Sequence, residues 1–256
     1  MLRWRTVTAL ILAPVVLGAI MLGRWAVLAV VLIVVGLAAR ELALALNPLP
    51  FLAALGAGVI PVLLSIPYGQ GGILAGALLS LPWALVWLAG RPEARTLRAI
   101  LAMLLMAIWV GTPMAHLGLI SEHPDGLFLI LVAVAGPWIS DSGAYFAGRF
   151  FGHHPLFPSL SPKKTIEGGI GGLLLTVLVV GWGMYEFLEF GIVKAALVGA
   201  AISLFSQSGD LFESILKRIL DLKDLGDSLP GHGGMLDRID SLLFTAPAVY
   251  YVSLFL

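Results

Sequence analysis

Asp210, Glu213, Ser214 and Lys217 recur at i, i+3, i+4 and i+7, so a helix carries all four on one face. Leu211, Phe212, Ile215, Leu216 and Ile219 fall on the opposite face, fit to lie against lipid or neighbouring helices. The helix has to end near Leu225-Gly226. Leu229-Pro230-Gly231-His232-Gly233-Gly234 is then a loop whose glycines let backbone N–H groups approach a ligand closely. Asp237, Arg238 and Asp240 follow, just ahead of a final apolar run, where another helix is expected to start. Acids and bases interleave from Gly209 to Ser241, as a site handling polyphosphate with a metal ion requires. A charge-laced surface helix and a turn is the plainer reading, but it leaves the charged, Gly-rich segment unexplained.

A second polar region lies upstream. Asp141, in Ser140-Asp141-Ser142-Gly143-Ala144-Tyr145, sits within an otherwise apolar span, where an ionised carboxylate is costly and faces a polar cavity or a partner. Ser161-Pro162-Lys163-Lys164-Thr165-Ile166-Glu167-Gly168-Gly169 places two lysines just before a helix, whose exposed N–H groups would complete a phosphate-binding end. A purely topogenic basic loop is the alternative for Lys163 and Lys164, and simple helix packing for Gly168 and Gly172. His153 and His154 read as solvated loop residues.

The elements that hold these residues must be membrane helices. Of 256 residues, 59% are hydrophobic and 12% charged, against roughly 45–50% and 25% in soluble domains. The net charge of zero gives no global field for nucleic acid, and the lack of cysteine removes disulfides and thiolate metal sites. Spans are expected at about 7–22, 25–46, 50–66, 73–89, 99–118, 127–146, 168–187, 191–208 and 242–256. The first is basic-then-apolar like a signal peptide, but no convincing cleavage site follows, so it is taken as retained. The expected fold is thus all-α and polytopic, about nine transmembrane helices. Residues 1–123 form an N-terminal scaffold and 124–256 the catalytic region, within a single membrane unit.

With the N-terminus in the cytoplasm, thirteen of the fifteen lysines and arginines fall on the cytoplasmic side; only Arg24 and Lys194 do not. Both polar regions then face the cytoplasm. In the first half, Gly69, Gly71, Gly72 and Gly76 permit close helix contact. Arg40-Glu41 reads as a neutralised pair at a helix end, and Arg91, Arg95 and Arg98 set topology.

Ser214-x-Leu216-Lys217-Arg218, Lys223-Asp224 and His232-Gly233-Gly234-x-x-Asp237-Arg238-x-Asp240 together resemble the signature of the phosphatidate cytidylyltransferases, the CDP-diacylglycerol synthases. The upstream region resembles the same family, with its Asp-Ser/Thr-x-Ala-Tyr and Ser-Pro-Lys-Lys-Thr-x-Glu-Gly elements; Ser140 stands where the family has Asn. The resemblance implies that CTP and phosphatidic acid become CDP-diacylglycerol and pyrophosphate in a bacterial cytoplasmic (inner) membrane. It also implies a Mg²⁺ ion, a second, monovalent cation such as K⁺, and a homodimer.

On that reading Asp210 and Asp237 share the metal, with Asp141, Asp224 and Asp240 behind them. Lys163, Lys164, Lys217, Arg218, Lys223 and Arg238 contact phosphates. Ser142, Thr165, Glu167, Glu213, Ser214, Gly233 and Gly234 line the substrate site. His232 either binds phosphate or protonates pyrophosphate, or is a structural turn residue. A secondary transporter would place its polar residues at midplane in related halves, whereas these gather at one face without a half-repeat. Another membrane lipid phosphotransferase would use similar groups, but the multi-Asp pattern of the CDP-alcohol phosphotransferases is not found. A non-catalytic scaffold is the weakest alternative.

Overall fold

The computed structural model describes residues 2–46, 49–88, 94–158, 160–229, 231 and 233–255. Arg91, Pro230 and His232, singled out above, lie outside them. Among the described residues, six helices are long and apolar enough to cross a membrane, and Ala13–Leu22 is a shorter apolar stretch. The protein is an integral membrane protein built from helices. The chain divides into two compact units, Met1–Pro124 with Lys223–Arg238, and Asp125–Leu222 with Ile239–Leu256.

The first unit contains α1 (Leu2–Leu22), α2 (Arg24–Ala45), α3 (Phe51–Leu88), α4 (Ala94–Leu105), a π-helical turn (Met106–Gly111) and α5 (Thr112–Ile120). Buried residues of α2 recur at helical spacing, with Val27, Leu28, Val31, Val35, Ala38, Ala39 and Leu42 forming its inner stripe. At 38 residues α3 is too long for one crossing, and it reverses at Gly69 (φ 56°, ψ −133°), a conformation that a side chain would strain. Beyond the turn its arms run back on each other. A Cβ on Gly72 would meet Leu64 O at 1.9 Å, one on Gly76 would meet Pro61 Cα at 2.4 Å, and Trp83 Nε1 donates to Ala53 O at 3.0 Å. The arms correspond to the expected spans at 50–66 and 73–89. Of the four glycines expected to permit close packing, Gly72 and Gly76 do so, Gly69 makes the turn, and Gly71 faces open space.

The second unit contains α6 (Gly126–Phe151), β1 (Pro155–Phe157), β2 (Ser161–Thr165), α7 (Ile166–Leu188), α8 (Ile192–Ile219) and the greater part of α9 (Leu236–Phe255). Residues 147–167, expected as a loop, instead continue α6 to Phe151 and then fold as an antiparallel hairpin pairing Pro155 with Thr165 and Phe157 with Ser161. Small residues bring α6 and α7 together: a Cβ on Gly143 would lie 2.8 Å from Gly171 O, and one on Gly172 2.8 Å from Ser140 O. Polar bonds then tie in the other helices. Ser140 Oγ and Ser203 Oγ are 2.9 Å apart, Gln207 Nε2 donates to Ser203 Oγ and Gly169 O, and Thr245 Oγ1 donates to Ala133 O. Ser140 is therefore a buried inter-helix contact.

Nine separate crossings are not what the candidate spans give. The single span Phe51–Leu88 holds both arms of α3, which double back at Gly69, and α9 carries Asp237, Arg238 and Asp240 in its first turns, which lowers its apolar character.

Candidate active site

In the second unit, three carboxylates converge. Asp210 and Glu213 from α8 and Asp240 from α9 each offer an oxygen, and the three oxygens lie within 4.8 Å of one another. The convergence depends on Gly209: a Cβ there would lie 2.6 Å from Asp240 O and 3.0 Å from Ser241 Cα, so only glycine lets these backbones approach so closely. Ser241 Oγ donates to Ser206 O at 3.3 Å, and the Phe212 and Phe244 rings pack 5.8 Å apart, fixing the same crossing.

Two ammonium groups brace the acids. Lys164 Nζ, from β2, pairs with Asp210 Oδ2 at 2.5 Å, and Lys217 Nζ pairs with Glu213 Oε2 at 2.8 Å one helical turn along α8. Ser214 Oγ lies 3.5 Å from Asp210 Oδ1, and the Ser241 N–H donates to Asp240 Oδ1 at 2.6 Å. Glu213 is 2% exposed, so its charge depends on these neighbours rather than on water. Asp240 precedes the apolar run that starts at Leu242. Burial raises its carboxyl above the usual range, the Ser241 N–H lowers it, and repulsion from Asp210 raises it further. Three acids stand against two lysines, and all the converging donors are oxygens, the kind that would suit a hard cation. Asp141, on α6 in the same unit, is exposed.

The hairpin has its own supports. Thr165 caps α7, its Oγ1 accepting the Gly168 N–H at 3.1 Å. Glu167 accepts the N–H groups of His153 and His154 at 3.2 and 3.3 Å and pairs with His154 Nδ1 at 2.6 Å. It thereby clamps the turn between α6 and β1, and the two histidines are exposed, as expected. Lys163 and Arg218 are exposed, and Ser142 Oγ donates to Trp138 O.

The first unit holds the Gly-rich signature loop. Asp237 Oδ2 accepts from the N–H groups of Leu225 and Gly234 at 3.2 and 3.1 Å, and Leu229 N donates to Gly233 O at 2.9 Å. Gly231 (φ 78°) and Gly233 (φ 83°) adopt backbone that favours glycine. Asp224 is exposed and close to Gly233; Lys223 and Arg238 are also exposed. Asp237 belongs to this unit, and in the second unit the described carboxylates that gather with Asp210 are Glu213 and Asp240.

Glu41 has a different role from the one expected of it. It is 1% exposed, and its Oε1 and Oε2 accept the N–H groups of Met235 and Leu236 at 2.7 and 2.9 Å. The interfacial pair expected with Arg40 is therefore replaced by a buried cap on the head of α9. The signal that singled out Asp141, an acid in an apolar helix, applied equally to Glu41.

A family model described as the cytidylyltransferase family matches residues 3–256. Phosphatidate cytidylyltransferase of Staphylococcus haemolyticus is 48% identical over 129 residues, 50% of this chain and 49% of that protein. The protein of the same name from Bacillus subtilis is 44% identical over 128 residues, 50% of this chain and 48% of the relative. A third, from Staphylococcus saprophyticus, is 44% identical over 149 residues, 57% of this chain and 56% of the relative. The chain spans about half the length of the curated relatives it matches.

Proposed function

The chain belongs to the cytidylyltransferase family, and on that premise we propose that it joins CTP to phosphatidic acid, giving CDP-diacylglycerol and pyrophosphate. The observation that carries the reading is the carboxylate cluster of Asp210, Glu213 and Asp240 braced by Lys164 and Lys217. Both substrates are polyanions, so the site must offset their repulsion and the charge that grows on the transferring phosphoryl group.

The cluster fits a hard cation, being made only of oxygen donors at mutual distances that one ion can bridge. Asp210, Glu213 and Asp240 would hold Mg²⁺, which when bound neutralises phosphate charge and polarises the P–O bonds. The sharing of that ion by Asp237, and a second, monovalent cation, are further parts of the proposal. A phosphatidate oxygen attacks the α-phosphorus of CTP, a new P–O bond forms, and pyrophosphate departs with the electron pair of the bond to that phosphorus. The phosphate monoester is already ionised near neutral pH and needs no strong base. Lys164 and Lys217 orient the carboxylates and lend positive charge; Lys163, Arg218, Lys223 and Arg238 are the exposed cations for phosphate contact.

The charge asymmetry of the loops supports nine crossings, counting both arms of α3 along with α1 and α9, with the N-terminus and site in the cytoplasm. Homodimerisation belongs to the same proposal. The deciding experiment supplies the purified protein with labelled CTP, phosphatidate and Mg²⁺. Label should move into a lipid-extractable nucleotide; label that stays in the aqueous phase with folded protein sinks the reading.

A further inference from the structure

We propose that Glu41 is a positioning residue for the signature loop, holding residues 223–236 in the shape that receives the nucleotide; this rests on the function proposed above. The first turn of a helix leaves N–H groups without intrahelical partners and concentrates partial positive charge there. At α9 the chain supplies its own anion: Glu41 accepts the Met235 and Leu236 N–H groups from 194 and 195 residues away. The carboxylate is 1% exposed, and the N–H bonds it accepts replace those that water would give.

The loop is moulded around that side chain. A Cβ on Gly226 would lie 2.4 Å from Glu41 Cδ and Cγ, and one on Gly234 would lie 2.8 Å from Glu41 Oε2 and 2.6 Å from Asp237 Oδ2. Asp237 ties the Leu225 and Gly234 N–H groups together. Glu41 and Asp237 therefore fix both ends of the loop, and Gly231 and Gly233 turn between them at positive φ. One consequence concerns the nucleotide: the helix-end donors at Met235 and Leu236 are filled by protein, so its phosphates are left to the glycine turn and the exposed cations. Glu41 acts through this backbone.

The test uses the full-length protein in detergent with Glu41→Gln, which keeps the shape but turns one acceptor into a donor facing an N–H. Hydrogen exchange of peptides spanning 223–236 should quicken while peptides from α6 keep their protection. In the assay with labelled CTP and phosphatidate, kcat/KM for CTP should fall about 10–10²-fold per mole of folded enzyme. Glu41→Asp should recover part of the loss. Unchanged exchange over 223–236 overturns the proposal. So does faster exchange with unchanged kinetics, since the contact would then stabilise without positioning. If Glu41→Gln does not fold, Gly226→Ala presses on the same contact from the loop side, with the same expected and overturning results. A wild-type protein that makes no nucleotide lipid refutes the function instead, and the exchange data still decide whether Glu41 orders the loop.

Discussion

Replacing Gly209 with alanine separates geometry from chemistry at the carboxylate cluster, because it alters no charged group. The new methyl group would fall 2.6 Å from Asp240 O and 3.0 Å from Ser241 Cα and Phe244 Cδ2, where ordinary contact begins at 3.4 Å. Two of the three obstacles are backbone atoms, so a rotamer change cannot clear them and α8 and α9 have to part by about 0.8 Å, the difference between 3.4 and 2.6 Å. Asp210 and Glu213 stand on one side of that crossing and Asp240 on the other. A hard cation needs its oxygens at about 2.1 Å, so a displacement on this scale removes one ligand from reach. Misplacement by about 1 Å costs on the order of 10²-fold in rate, which is the loss expected in kcat/KM. The Mg²⁺ concentration for half-maximal activity should rise in parallel.

Overpacking itself costs about 1–3 kcal/mol, a tolerable loss, so unfolding followed by intrinsic fluorescence should still show a cooperative, lower midpoint. Gly191→Ala, at the N-cap just before the same helix, is the control, since nothing lies within 4 Å of its added carbon, and it should keep wild-type kcat/KM and Mg²⁺ dependence. Wild-type kcat/KM and Mg²⁺ dependence in Gly209→Ala would refute the reasoning. The three carboxylates would then not need this crossing to work together.

Asp210→Asn and Asp240→Asn keep side-chain size but remove charge; turnover should drop about 10²–10⁴-fold with insertion intact, as measured by nucleotide-lipid formation over a Mg²⁺ titration. Asp237→Asn in the same titration tests whether this residue shares the ion: an unchanged Mg²⁺ half-saturation assigns it to the loop alone. Lys164→Met removes the partner of Asp210 and should weaken the use of CTP or phosphatidate without changing membrane insertion; full activity would leave the lysine a topogenic role. Because the chain has no cysteine, single cysteines at Ser161 and Ser228 should label with impermeant reagent from the cytoplasmic side only, and one at Ser121 from outside. Labelling of the first two from opposite faces would reject the proposed orientation.

What the sequence makes legible here is what local periodicity and charge encode. The spacing of Asp210, Glu213, Ser214 and Lys217 places them on one face of α8, and a helix carries them continuously to Ile219. The approach of Asp240 to that face has no local signature, because it is set by a missing side chain, Gly209, acting across two helices. The hairpin at 155–165 was hidden for a related reason: its strands are three and five residues long, too short for an alternating pattern to show. Glu41 is the hardest case, since its partners are backbone N–H groups, which every residue has and no sequence marks. The two glycines nearest it, Gly226 and Gly234, read beforehand as turn formers or as room for a ligand. They turn out to accommodate a carboxylate from the protein itself. Glycines in a signature loop therefore mark close approach without saying what approaches, and a buried acid elsewhere in the chain has to be considered alongside a substrate phosphate.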